Sequence, residues 1–247
     1  GDGTFTVSAG THNYTVTDAN GCTSSTSITV SEPAALVASS SATDILCNGG
    51  TATVTVSAVG GTIPYSGDGT FTVGAGTHNY TVTDANGCTS STSISLSEPS
   101  AVVVTATQGA DILCNGGSTT VTVSATGGTS SYTGEGTFTV GAGTHNYTVT
   151  DANGCTGSTS ITVSEPAALV ASSSATAILC NGGSSTVTVS AVGGTAPYSG
   201  DGTFTVTAGT YNYTVTDANG CTSSTSITVS EPAALVASSS ATDILCN

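Results

Sequence analysis

Apolar and polar residues alternate with a period of two along most of this chain. Val54, Val56 and Ala58 are separated by Thr53, Thr55 and Ser57, and further on His78, Tyr80 and Val82 are separated by Thr77, Asn79 and Thr81. That rhythm sends one set of side chains to the inner face of a strand and the other to the outer face. The residues that carry it, Thr, Val, Ile, Phe and Tyr, fit a pleated, half-buried surface. The breaks fall at Asn48-Gly49-Gly50, Gly60-Gly61, Gly67-Asp68-Gly69, Gly74-Ala75-Gly76 and Asn86-Gly87, where glycine permits positive φ. No segment carries a helical stripe. After Pro33 the pattern predicts strands at 35–40, 51–58, 62–66, 69–73, 77–84 and 89–97. Thr83-Asp84-Ala85-Asn86-Gly87-Cys88 reads as the hairpin turn between the last two, and Tyr80, early in the penultimate strand, as a tyrosine corner.

The pattern itself repeats. Asn-Tyr-Thr-Val-Thr-Asp-Ala-Asn-Gly-Cys occurs unchanged at 13–22, 79–88, 146–155 and 212–221, so the unit steps by 66, 67 and 66 residues. Cys-Asn-Gly-Gly recurs at 47, 114 and 180, and a Glu-Pro pair recurs with its Glu at 32, 98, 165 and 231. Proline ends a ladder, so each Glu-Pro marks a joint, and the short spacing across it favours a stiff rod. The expected fold is all-β, a linear array of tandem immunoglobulin-like antiparallel β-sandwich domains. Its complete domains are 33–98, 99–165 and 166–231, flanked by the C-terminal part of a repeat at 1–32 and the N-terminal part of another at 232–247. Gly1 matches Gly67 in mid-unit and Asn247 stops at the position of Asn48, so the chain is expected to be an excerpt of something longer.

Units this small sit near the lower limit for an independent core and usually need a staple. Two cysteines stand at fixed places in each repeat: Cys22, Cys47, Cys88, Cys114, Cys155, Cys180, Cys221 and Cys246. Read as structural disulfides, they place the chain outside the reducing cytosol, with each bond adding about 2–4 kcal/mol. Three pairings fit the spacing. Cys47 with Cys88 closes one domain, Cys22 with Cys47 spans a Glu-Pro joint, and Cys47 with Cys155 bolts one domain to the next. Local closure is the commoner solution and puts Cys47–Cys88 first. An immunoglobulin topology counts against it, because the first inter-strand loop and the last hairpin turn then lie at opposite ends of a domain.

The chain has no Lys or Arg against 15 acidic residues. It therefore has no cation with which to neutralise phosphates or anionic headgroups, which excludes nucleic acid and acidic membrane surfaces as partners. Scattered acids keep such a chain in solution and apart from its neighbours. Trypsin-like proteases find no site. No stretch approaches the ~18 apolar residues of a membrane span, so direct insertion is not expected.

Several of these strings together resemble a known family. The run Cys114-Asn115-Gly116-Gly117, a Thr-Val-Thr-Val strand, Gly-Gly-Thr-x-Pro-Tyr at 60–65 and 193–198, then Ala-Gly-Thr-x-x-Tyr-Thr-Val-Thr-Asp-Ala-Asn-Gly-Cys and a Glu-Pro are similar to the SprB-type repeat of Bacteroidetes cell-surface adhesins. The likeness covers the whole chain. It implies export to the outer surface by the type IX route and a part in adhesion or gliding, as a structural stalk or filament segment. The segment after Pro64-Tyr65 departs from the family in being short and in lacking Trp, and the unit 99–165 has Ser130-Ser131-Tyr132 where its neighbours have proline.

Candidate chemistry is sparse, and no enzymatic activity is expected. His12, His78 and His145 occupy a position that holds Tyr211 in the fourth copy, an exchange no metal ligand or general base tolerates. No cofactor is expected. Calcium at the joints, held by Glu98 with Asp84-type residues, is a minor alternative. Asn13, Asn79, Asn146 and Asn212 begin glycosylation sequons on outward-facing strand positions. The expected partners are neighbouring repeats or further copies, through uncovered strand edges. Surface polysaccharide is a further expected partner if the alternative, a polysaccharide- or ice-binding repeat module, holds.

Overall fold

The computed structural model describes residues 3–243, all of them in strands, turns and loops. The expectation of an all-β chain holds: among the described residues there is no helix, and the strands form several small antiparallel sheets. Two compact units divide the chain. One comprises Gly1–Ala101, Gly127–Ser130 and Ala152–Cys155, the other Val102–Thr126, Ser131–Asp151 and Thr156–Asn247.

The first unit begins with a hairpin of β1 (Gly10–Thr17) and β2 (Thr23–Val30). Five strands follow. β3 (Val37–Ala42), β4 (Ala52–Val59) and β5 (Gly69–Val73) make a three-stranded sheet with β4 central, and β6 (Gly76–Thr83) pairs with β7 (Thr89–Leu96) in a two-stranded one. The alternation of β4 places Ala52, Val54 and Val56 inward. Val54 and Val56 meet Val82 from β6, and Phe71, Tyr80 and Ile94 close around them, so the two sheets share one apolar cluster. Hydroxyls tie the sheets at one side. The Ala38 amide donates to Ser90 Oγ at 3.0 Å, and Ser40 Oγ lies 3.0 Å from Thr92 Oγ1.

The second unit contains two further sets of the same five strands. β8 (Val103–Gln108), β9 (Thr119–Thr126) and β10 (Gly136–Val140) form one sheet, and β11 (Gly143–Thr150) pairs with β12 (Thr156–Val163). The last set has β13 (Val170–Ala175), β14 (Ser185–Val192) and β15 (Gly202–Val206), with β16 (Gly209–Thr216) paired to β17 (Thr222–Val229). Each set encloses its own core, around Val121 and Val149 in the first and Val187 and Val215 in the second. One substitution between copies is compensated. Where the first unit has Ala38 beside Ser90 and the last set has Ala171 beside Ser223, the set from β8 to β12 has Val104 beside Gly157, and a Cβ on Gly157 would press on Val104 Cγ2 at 3.0 Å. The larger valine occupies the space that the glycine leaves.

Two local expectations are corrected. Residues 62–66 are not a strand; only an isolated bridge forms, Ser66 to Thr83, with both amide bonds at 2.9 Å. Gly60 and Gly61 both adopt positive φ, and a Cβ on Gly60 would collide with the Ala35 carbonyl, so the backbone turns back here instead of extending. Tyr80 is not a tyrosine corner either. Its hydroxyl is buried without a hydrogen bond and its ring packs on Phe71 with centroids 4.8 Å apart. Tyr65 instead donates to the Gly60 carbonyl at 2.5 Å, and Tyr198 to Gly193 at 2.6 Å.

Candidate functional site

The chemistry of the chain concentrates at the loops that carry cysteine. After β3 the chain enters Cys47-Asn48-Gly49-Gly50, where Gly49 has φ +73° and the Gly50 amide returns to the Cys47 carbonyl at 2.9 Å. A carboxylate from the end of the same repeat clasps this turn. Glu98 Oε2 accepts the Gly49 amide at 2.7 Å, Oε1 accepts Asn48 Nδ2 at 3.2 Å, and the same Nδ2 donates to the Pro99 carbonyl at 3.1 Å. Glu165 holds Asn115 and Gly116 in the same way, and Glu231 accepts the Gly182 amide at 2.6 Å. Charge-assisted bonds of this kind are the stronger hydrogen bonds of a protein. The Glu-Pro string therefore fixes the cysteine loop as well as ending a ladder.

The second cysteine follows a turn organised by aspartate. Asp84 is only 6 % exposed. Its Oδ1 accepts the amides of Asn86 and Cys88, at 2.9 and 2.8 Å, and its Oδ2 accepts the Thr62 amide at 2.9 Å. The Thr62 amide, with those of Cys88, Asn86 and Gly87, holds the carboxyl below its ordinary value, against a smaller opposing effect of burial. Asp217 is lowered in the same way, first by the Thr195 amide. Gly87 completes the turn at φ +86°.

These two loops meet between repeats. Cys47 is bonded to Cys155, with their Cα atoms 5.6 Å apart, and Cys114 to Cys221 at 5.7 Å. Asn153 Nδ2 reaches the Leu46 carbonyl at 3.2 Å and Thr129 Oγ1 at 2.9 Å. Asn219 repeats both contacts, to Leu113 at 3.2 Å and Thr195 at 3.0 Å. Both members of each bond lie within one compact unit. The within-repeat pairing Cys47–Cys88 and the 25-residue pairing Cys22–Cys47 do not form. Cys22, Cys88 and Cys180 are exposed thiols, and Cys246 lies outside the described residues. Within a repeat, the Glu98 clasp holds Cys47 at one end while Asp84 fixes Cys88 beside Thr62, so only the turn of the following repeat brings a sulfur to Cys47.

Other sequence candidates stand apart from this joint. His12, His78 and His145 are half-buried, and each Nε2 lies 2.8–3.0 Å from the carbonyl four residues earlier. Tyr211 reaches Thr207 O in the same way at 3.0 Å, which accounts for the His-to-Tyr exchange. Asn13, Asn79, Asn146 and Asn212 are exposed, each facing a serine on the paired strand. Hydroxyl pairs flank that position, as in Thr77 with Ser95 at 2.8 Å and Thr81 with Ser91 at 3.0 Å. Among the described residues no Asp or Glu lies in a strand, so the sheet faces carry hydroxyls and amides while the charge sits in the loops. Glu98 and Asp84, the calcium ligands considered above, spend their oxygens on amides. No group of three or more His, Cys, Asp or Glu that could hold a metal occurs among the described residues. Among those residues no helix is long and apolar enough to cross a membrane. Two disulfides fit an oxidising compartment. No protein-family model matches the chain, and no curated protein matches it in sequence.

Proposed function

We propose that this chain is a length of the extracellular stalk or filament of a bacterial surface adhesin, built of immunoglobulin-like sandwiches in tandem and without enzymatic activity. One observation carries the reading. The same joint, a disulfide with an Asn-to-carbonyl bond beside it and a Glu clasp behind it, occurs twice with matching geometry. A joint that is copied along with the repeat is what an extended array needs and what a single binding or catalytic centre does not. The resemblance to SprB-type repeats supports the same conclusion and adds surface export by the type IX route and a link to gliding or attachment. Each repeat then adds roughly 30–40 Å of length, from strands of seven or eight residues at about 3.3 Å each plus loops. Electron micrographs of the assembled protein test this: an axial period in that range is expected, and compact particles without one would refute it.

The uncharged rows of Thr, Ser and Asn on β6 and β7 and their copies favour a second reading, a face that contacts polysaccharide or ice. A glycan array and an ice-recrystallisation assay separate this from a passive stalk, which gives no signal in either.

A further inference from the structure

The two disulfides interleave. Cys114 lies inside the loop closed by Cys47–Cys155, and Cys155 lies inside the loop closed by Cys114–Cys221. As covalent connectivity this produces two nodes, Cys47/Cys155 and Cys114/Cys221. Three separate peptide segments join them: 47–114, 114–155 and 155–221. Disulfides closed within each repeat would leave a single peptide between successive repeats.

We propose that these interleaved disulfides are a redundant tether: they join the two nodes through three peptide segments in parallel, and they limit how far residues 47–221 extend when their sheets open. The shortest segment sets the limit, since about 40 residues from Cys114 to Cys155 reach ~140 Å when fully drawn out. The two longer segments, about 66 residues each, are still slack at that extension, with a reach of ~230 Å. Without the bonds the same stretch is one path of about 170 residues reaching ~600 Å. The 114–155 segment is the shortest path between the nodes, so β9, β10 and β11 take the load first once the sheets open. A cut in any one of the three segments leaves the other two intact. The inference rests on the two bonds and their order in the sequence, independently of what the array attaches to. A stalk without this tether leaves the proposed function standing.

The experiment is single-molecule stretching of residues 1–247 held by the two termini, before and after reduction with a phosphine. Reduction is expected to lengthen the fully unfolded chain by about 130 residues of contour, ~470 Å. The Cys114→Ser, Cys221→Ser and double variants are expected to share one contour, longer than the oxidised parent by only about 25 residues, ~90 Å. A double variant longer than either single variant would show that the two cysteines serve different bonds, and would overturn the proposal. A second readout needs no variant. After light digestion with an acid-directed protease, chains cut once between Cys47 and Cys221 are expected to run at full mass without reductant and to separate with it. Separation without reductant overturns the proposal equally.

Discussion

Cys47 and Cys155 are 108 residues apart in sequence and 5.6 Å apart at Cα, while Cys88, the cysteine of Cys47's own repeat, remains an exposed thiol. A non-reducing peptide map made with an acid-directed protease is expected to yield the linked pairs Cys47–Cys155 and Cys114–Cys221, with Cys88 recovered as the alkylated thiol. A Cys47–Cys88 peptide would contradict the joint.

Acid is expected to loosen the turns that Asp84 and Asp217 organise. The carboxyls of Asp84 and Asp217 titrate below their ordinary value of 3.8 in the folded chain, because backbone amides bind the charged form. The unfolded chain therefore takes up these protons first, so the contribution is complete above the unfolded value and is lost as pH falls through the lower, folded one. Melting temperature should not depend on these two groups from neutrality to about one unit above 3.8 and should then decline. Asp84→Asn, which turns a donor toward the Thr62 amide, should melt lower at neutral pH and lose that acid dependence in its own repeat.

Glu98→Gln tests the clasp. The amide keeps one acceptor for Gly49 or Asn48 and loses the charge, which should cost about 1 kcal/mol. The Cys47–Cys155 bond should then be reduced faster while the rate for Cys114–Cys221, held by Glu165, stays as in the parent. Differential alkylation during a reductant time course measures both.

Val82 and Val16 occupy the same place in the repeated string, yet Val82 is 0 % exposed and Val16 is 45 % exposed. Val82→Ala should cost about 2 kcal/mol in the transition of its own repeat, from lost burial and the cavity left. Val16→Ala should change denaturation by less than about 0.5 kcal/mol. Equal effects would mean that β1 and β2 are covered in solution.

The histidine position should accept tyrosine. His145→Tyr is expected to stay within about 0.5 kcal/mol of the parent, because Tyr211 meets the corresponding carbonyl in its own repeat. His145→Phe keeps the ring and removes the donor to Gly141, and should cost about 1 kcal/mol. Thermal melting of the two variants separates a hydrogen-bonding role from a packing role.

The alternation of valine with threonine and the glycines between the runs set the strands, because burial on one face and φ at a turn are local demands that each residue meets by itself. β4 and β6 lie within a residue or two of the predicted spans for that reason. Residues 62–66 do not extend as a strand although they are β-forming, because the Gly60-Gly61 turn precedes them and a carboxylate distant in sequence, Asp84, takes the Thr62 amide. Tyr65 and Tyr80 look alike in the string, and only the packed sheets decide that Tyr65 meets a carbonyl while Tyr80 meets a ring. The same holds for the cysteines. Their copies share one local sequence, so spacing alone leaves several partners open. What selects Cys155 for Cys47 is the position of loops from different repeats, fixed by Glu98 on one side and the Asp-Ala-Asn-Gly turn on the other, and a disulfide forms only where folding brings two sulfurs together.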